Sequence, residues 1–261
     1  MTTQKILHPK LDFSDINYGF FTRNGGYSKS PYDSLNCSFN VKDNKSDVNK
    51  NLTLVSNELN LKNLVTLNQI HSSKVVVVND KNYHINDMRA DGLVTRLKGV
   101  GLSILGADCA SILFYDDISK IIGACHAGWR GALNGIIEAT VSSMEDLGSN
   151  RDDIVSVIGP TIQKQSYEIR QDVARFVKES KFYEKNHSVL FHIQDDKYLF
   201  DLPLLLKESL KNSRINNIGD IKINTYEKSN LFFSHRKTTH KNFPIQAKTG
   251  RHISVISLIS K

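Results

Sequence analysis

No apolar run in this chain approaches the roughly twenty residues that cross a bilayer, and the opening "MTTQKILHPK" lacks the apolar core of an export signal. The expectation is a cytoplasmic protein with no membrane partner. Cysteine is scarce. Cys37, Cys109 and Cys125 are an odd set in a chain without an export signal, so thiols or metal ligands are expected rather than a disulfide framework. The formal charge is +7, yet the lysines are dispersed among asparagines and serines, as in "VKDNKSDVNKNL", and no block of like charge forms. No nucleic-acid partner is expected from such a pattern; a small anionic substrate is a better use of the surplus positive charge. Internal repeats, low-complexity tracts and Pro/Gly/Ser-rich linkers are missing too, which leaves one domain over residues 1–261 as the expectation.

What is present is a mixture of strand and helix patterns. Val48, Leu52, Val55 and Leu59 fall on one face of a helix with its cap expected at Ser46. "LVTLNQ" and "KVVVV" are β-branched strand runs, and His71 lies between them at a strand end. The stretch from Val100 to Gly131 reads as three strands, with a break over Gly106 to Cys109 and a turn at Asp116-Asp117. A helix is expected from about Ala132, carrying Ile136, Ile137, Val141 and Met144 on one side and stopping at Gly148. "DIVSVIGP" reads as a strand, "DVARFVKES" and "DLPLLLKESLKN" as helices, the second capped by Asp201, and "IKINTY" and "HISVISLI" as closing strands. Strands and helices do not alternate strictly, so the class is a mixed-sheet α/β (α+β) fold.

The densest chemistry sits in "IIGACHAGWRG", where a strand ends in Cys125 and His126 before a Gly-Trp-Arg-Gly turn. Neighbouring strand residues face opposite sides, so one of the two belongs to the core and the other to a cleft. The apolar neighbours Ile121, Ile122 and Ala124 suit a packed Cys125, and His126 at the strand end suits the cleft. The turn, with Arg130, offers backbone N–H groups to an anion. His71 and Cys109 also lie at strand breaks. Two imidazoles and one thiolate make a credible Zn²⁺ set with a fourth coordination position open. The same residues admit a metal-free reading in which Cys109 is a nucleophile and His126 its base.

Taken in order, "FFTRNGGYSKSPYDSLN", "LNQIHSSKVVVV", "ADGLVT", "GADCASILFYD", "GACHAGWRGALNGI", "IGPTIQKQSYEI" and "FFSHRK…TGRHISVISL" closely resemble the YfiH-like family. Its members carry an older label as laccase-domain or multicopper polyphenol oxidase proteins and are now regarded as purine nucleoside phosphorylases. The resemblance implies a single-domain fold related to toxin deamidase domains. It implies a zinc site, in which copper could substitute, held by His71, Cys109 and His126, which would also be the catalytic residues. It implies phosphorolysis of adenosine, inosine and methylthioadenosine with phosphate as co-substrate, and deamination of adenosine. Arg23, Arg130, His235 and Arg236 are the substrate-binding positions it implies. Where relatives often carry "GPCIGPCCYEV", this chain has "GPTIQKQSYEI", and Ser30 and Cys37 or Ser38 replace common glycines; none of these touches the three implied ligands. The older label fits poorly with a chain that has nine histidines and no His-x-His pair. Three readings stand at this point: zinc nucleoside enzyme, metal-free Cys-His hydrolase or deamidase, and copper oxidase.

Overall fold

The computed structural model describes residues 2–80, 88–242 and 248–260. Two sheets carry the architecture. In the first, the strands run in the order Lys5–Ile6, Ile16–Phe21, His252–Leu258, Val100–Gly106 and Asn63–Val65. In the second the order is Asn217–Asp220, Ile154–Ile158, Ala110–Asp116, Ile121–Ala127, Gly92–Thr95 and Val75–Val77. Neighbours are mostly antiparallel, with parallel pairs at sheet edges, as between Val75–Val77 and Gly92–Thr95. A smaller sheet joins Glu168–Arg170, Lys197–Phe200 and Leu190–Gln194.

The period of two along each strand decides the layers. Leu102, Ile104 and Ile256 of the first sheet meet Leu113, Ile122, Ala124 and Val157 of the second in one apolar cluster. The opposite face of the second sheet, with Ile112, Phe114, Ile121 and Cys125, packs under the helices Ile136–Asp146 and Leu202–Asn212. The outer face of the first sheet, with Ile253 and Val255, packs under Val55 and Leu59 at the end of the helix Lys45–Glu58. The result is two sheets face to face with helices outside both, a mixed α/β arrangement as the element pattern implies.

Several local expectations need correcting. The first long helix is capped by Asn44, whose side chain accepts from the N–H groups of Ser46 and Asp47, so Ser46 is already inside the first turn. The helix expected from Ala132 is two pieces, Trp129–Leu133 and Ile136–Asp146, broken at Gly135, whose φ of 88° lies in the left-handed region. "IKINTY" forms no strand beyond a bridge at Asn224; the pairing strand is Asn217–Asp220 just before it. Asp201 caps its helix as expected, accepting from Leu204 N–H at 3.0 Å. Cys37, Cys109 and Cys125 are all free thiols. No helix among the described residues is long and apolar enough to cross a membrane.

Candidate metal centre

Two chain crossings between the sheets and one strand end build the site. The strand Val100–Gly106 leaves the first sheet after pairing Gly106 with His252, and the chain enters the second sheet at Ala110, opposite Ala127. Cys109 lies in that crossing. The preceding Asp108 takes a φ of 89° and is fixed by its own polar groups: its carbonyl accepts from Ile162 N–H, and its carboxylate from Thr225 Oγ1 and the Arg236 N–H. His71 lies in the second crossing, between Leu67–Asn68 and Val75–Val77, with a φ of 56°. Its loop is tied back at Gln69, whose amide both donates to and accepts from the backbone of Leu105. His126 ends the strand Ile121–Ala127. It shares the parity of Ile122 and Ala124, facing the other sheet, while Cys125 is wholly buried beneath the helices.

One ligand atom each from His71, Cys109 and His126 lies within 4.8 Å of the others. The two imidazoles meet edge to face, centroids 4.8 Å apart. Space for the thiol comes from Gly128: a Cβ there would stand 2.7 Å from Cys109 Sγ. The cluster opens into a cavity of about 320 Å³ whose wall includes Gln69, Leu105, His235 and Arg251.

Asp91, fully buried, organises the centre. Its carboxylate accepts from the N–H groups of Ile70, His71 and Ser72 and from Ser72 Oγ, and it holds His126 Nδ1 at 3.0 Å. One carboxylate thus sets the His71 loop and leaves His126 Nε2 as the ligand nitrogen, the arrangement that orients metal-binding histidines. Burial opposes ionisation of Asp91, but the bonds from His126 and Ser72 outweigh it and hold its pKa down to about 2. Burial likewise opposes a charged His126, yet Asp91 and Cys109 raise it to about 9. Cys109 loses water on burial, and His126 and His71 still bring its thiol down to about 6, in the range of a ready metal ligand. Cys125, by contrast, is pushed up to about 12 by burial and stays a thiol.

Residues 17–259 match the model of the family described as multi-copper polyphenol oxidoreductase laccase. The chain belongs to this family. Within it stand the curated relatives whose resemblance the motifs carry. One is the purine nucleoside phosphorylase YlmD of Bacillus subtilis, 32% identical over 257 residues that span 94% of this chain and 89% of that protein. Another is the purine nucleoside phosphorylase YfiH of Escherichia coli, 32% identical over 239 residues, 91% of this chain and 92% of that one. The crystal structure of the hypothetical protein YfiH from Bacillus licheniformis superposes with a TM-score of 0.85 at 30% identity, covering 93% of this chain and 92% of that chain.

Of the four implied substrate residues, one lies on the wall of the metal cavity. His235 lines the metal cavity; Arg23, Arg130 and Arg236 are not on its wall. Arg23 is spent on Asp33 and on the carbonyl of Ser229, with its guanidinium 4.3 Å over the Phe233 ring. Arg130 is exposed and lies 4.9 Å over the Trp129 ring; neither Glu138, which pairs with Arg151, nor Asp108 holds it. Arg130 nevertheless acts through space on Tyr167, which also feels Cys109, Asp108 and Arg236. Arg236 lies over Tyr167 and lines a separate cleft with Glu168 and Asp172. Sequence reasoning missed Asp91 and Arg251, although "ADGLVT" and "TGRHISV" contain them; their only signal was membership of a motif.

Proposed function

We propose that the chain is a zinc-dependent purine nucleoside phosphorylase acting on adenosine, inosine and S-methyl-5'-thioadenosine, with deamination of adenosine as a second reaction. The observation that carries this reading is the convergence of His71, Cys109 and His126 at the floor of a cavity that also presents Arg251 and His235. The donor set fits the metal: two imidazoles, one of them oriented by a buried carboxylate, and a thiol already inclined to ionise. Relatives named purine nucleoside phosphorylase at 32% identity point to the substrate class. The family's copper name finds less support, because among the described residues the cluster holds two histidines and one cysteine, whereas a multicopper centre needs many histidines; copper could replace zinc at such a set.

Bound at these three residues, Zn²⁺ would supply a Lewis acid at its remaining coordination position. The chain's own residues do the rest. Asp91 fixes the tautomer and direction of His126. Gln69 and Asp108 hold the two crossings at their spacing, and Arg251 puts positive charge where an anionic co-substrate must come. Incubation with inosine and chromatography of the products tests this reading: hypoxanthine and ribose 1-phosphate should form only with phosphate, whereas free ribose formed equally fast without phosphate would make the protein a hydrolase. Inosine should appear from adenosine with or without phosphate.

A second reading has one observation in its favour, the depressed thiol of Cys109 beside His126. A metal-free Cys-His hydrolase would use that pair directly. Activity that survives chelation and is abolished by thiol alkylation would select it.

A further inference from the structure

A second cavity, of about 290 Å³, adjoins the metal cavity. The two share Asn40, Val41, His235 and Arg251 as a common wall. Beyond that wall the second cavity adds Lys42 and Lys248, both exposed at its rim, together with Thr249 and Tyr32. Among the described residues that line it, three are cations and none is a carboxylate. A concave site ringed by one sign of charge concentrates the opposite sign.

Arg251 is the residue that both cavities share and that carries a fixed charge. Its Nη1 donates to the carbonyls of Thr249 and Gly250, at 3.1 and 3.0 Å, which braces the side chain against its own loop. No carboxylate among the described residues forms an ion pair with it. Cys109 and the Asp108 carboxylate act on it through space without pairing with it, and that carboxylate is already occupied by Thr225 and the Arg236 N–H. A braced, half-buried guanidinium without a paired carboxylate, facing a cavity rimmed by lysines, suits an oxyanion with several acceptor oxygens.

We infer that this second cavity seats inorganic phosphate and that the Arg251–His235 wall presents it to a nucleoside in the metal cavity. The inference rests on the phosphorylase reading and assigns its co-substrate to residues other than Arg23, Arg130 and Arg236. In the step so served, an oxygen of hydrogen phosphate forms a bond to the ribose anomeric carbon and the bond from that carbon to the purine nitrogen breaks. The bonding pair leaves with the purine, and the proton of hydrogen phosphate ends on the purine nitrogen. Nothing is oxidised or reduced.

The test is calorimetric titration of inorganic phosphate into zinc-loaded and zinc-stripped protein, for the native chain, Arg251→Lys and the rim double variant Lys42→Gln/Lys248→Gln. The expected result is a phosphate Kd raised about tenfold by Arg251→Lys, since lysine cannot reproduce a two-pronged contact, and about threefold by the rim variant. Both effects should persist in stripped protein. The rim variant guards against a loop disturbed by Arg251→Lys, because its side chains are exposed. Unchanged affinity in both variants, or binding that vanishes with zinc and ignores the lysines, overturns the proposal. So does inosine 5'-monophosphate binding more tightly than phosphate to the stripped protein, which would make the cavity a nucleotide phosphate site. Phosphate binding as expected without phosphate-dependent nucleoside cleavage would support the seat and overturn the phosphorylase reading. Phosphate-dependent cleavage whose phosphate KM ignores both variants would do the reverse.

Discussion

Asp91 carries more of the site than any one of the three ligand residues, because it holds the His71 loop and the His126 ring with the same two oxygens. Asp91→Asn should lower metal affinity about 10- to 100-fold, measured by competition with a chromophoric chelator. It should also change the acid limb of stability. The folded pKa of Asp91 lies near 2, below its ordinary 3.8, so its contribution is complete above that ordinary value and is lost as pH falls toward 2. The loss is on the order of 2 kcal/mol. Melting temperature against pH should therefore flatten between these values in Asp91→Asn. The thiol of Cys109 gives a second titration: in zinc-stripped protein its thiolate absorbance should rise with a midpoint near pH 6, and Cys109→Ala should abolish it. A rise only near the ordinary thiol pKa of 9.0 would show that His126 does not hold the thiolate. The grouping of His71, Cys109 and His126 was legible in the sequence through three separate motifs, "QIH", "ADC" and "CHAGWRG", each at a strand break or strand end. Asp91 and Arg251 were not, since an aspartate before a glycine and an arginine before a strand also suit ordinary turns.

At the scale of the element, the strand Ile121–Ala127 and the glycine that follows it do the sorting. The period of two places Cys125 in the helix-side core and His126 toward the other sheet; alternation gave the opposition of the two, and the apolar neighbours of Cys125 gave which one is packed. Gly128 has a φ of −79°, which any residue adopts, so its requirement is steric rather than conformational. Gly128→Ala would set a methyl group 2.7 Å from Cys109 Sγ, too close for both to stay. The expected outcome is a displaced thiol: metal affinity lost by tenfold or more at a cost in stability of about 1 kcal/mol, read by chelator competition beside thermal melting. Equal metal affinity in the variant would mean that the thiol is not aimed at the cluster. Caps and breaks were the hardest features to read. Asn44 and Ser46 are both good caps two residues apart, and a glycine such as Gly135 inside a helical pattern is tolerated in some helices and breaks others.

On the scale of the whole molecule, the centre exists because two sheets packed face to face must be joined by crossings, and two of those crossings end beside the same strand. The mixed α/β class was legible from the unordered succession of strand and helix patterns; the pairing order was not, because strands from the two ends of the chain, Ile16–Phe21 and His252–Leu258, lie side by side. The same long-range pairing brings Arg251 to the cavity. The packing role of Cys125 predicts that Cys125→Ala keeps metal and activity while losing on the order of 1 kcal/mol, whereas Cys109→Ala loses both. The most direct measurement is the rate of phosphate-dependent inosine cleavage as zinc is titrated back into chelator-stripped protein. The rate should climb from near zero in proportion to added zinc and level off at one equivalent per chain. Full activity in the stripped protein, indifferent to added zinc, would contradict the account.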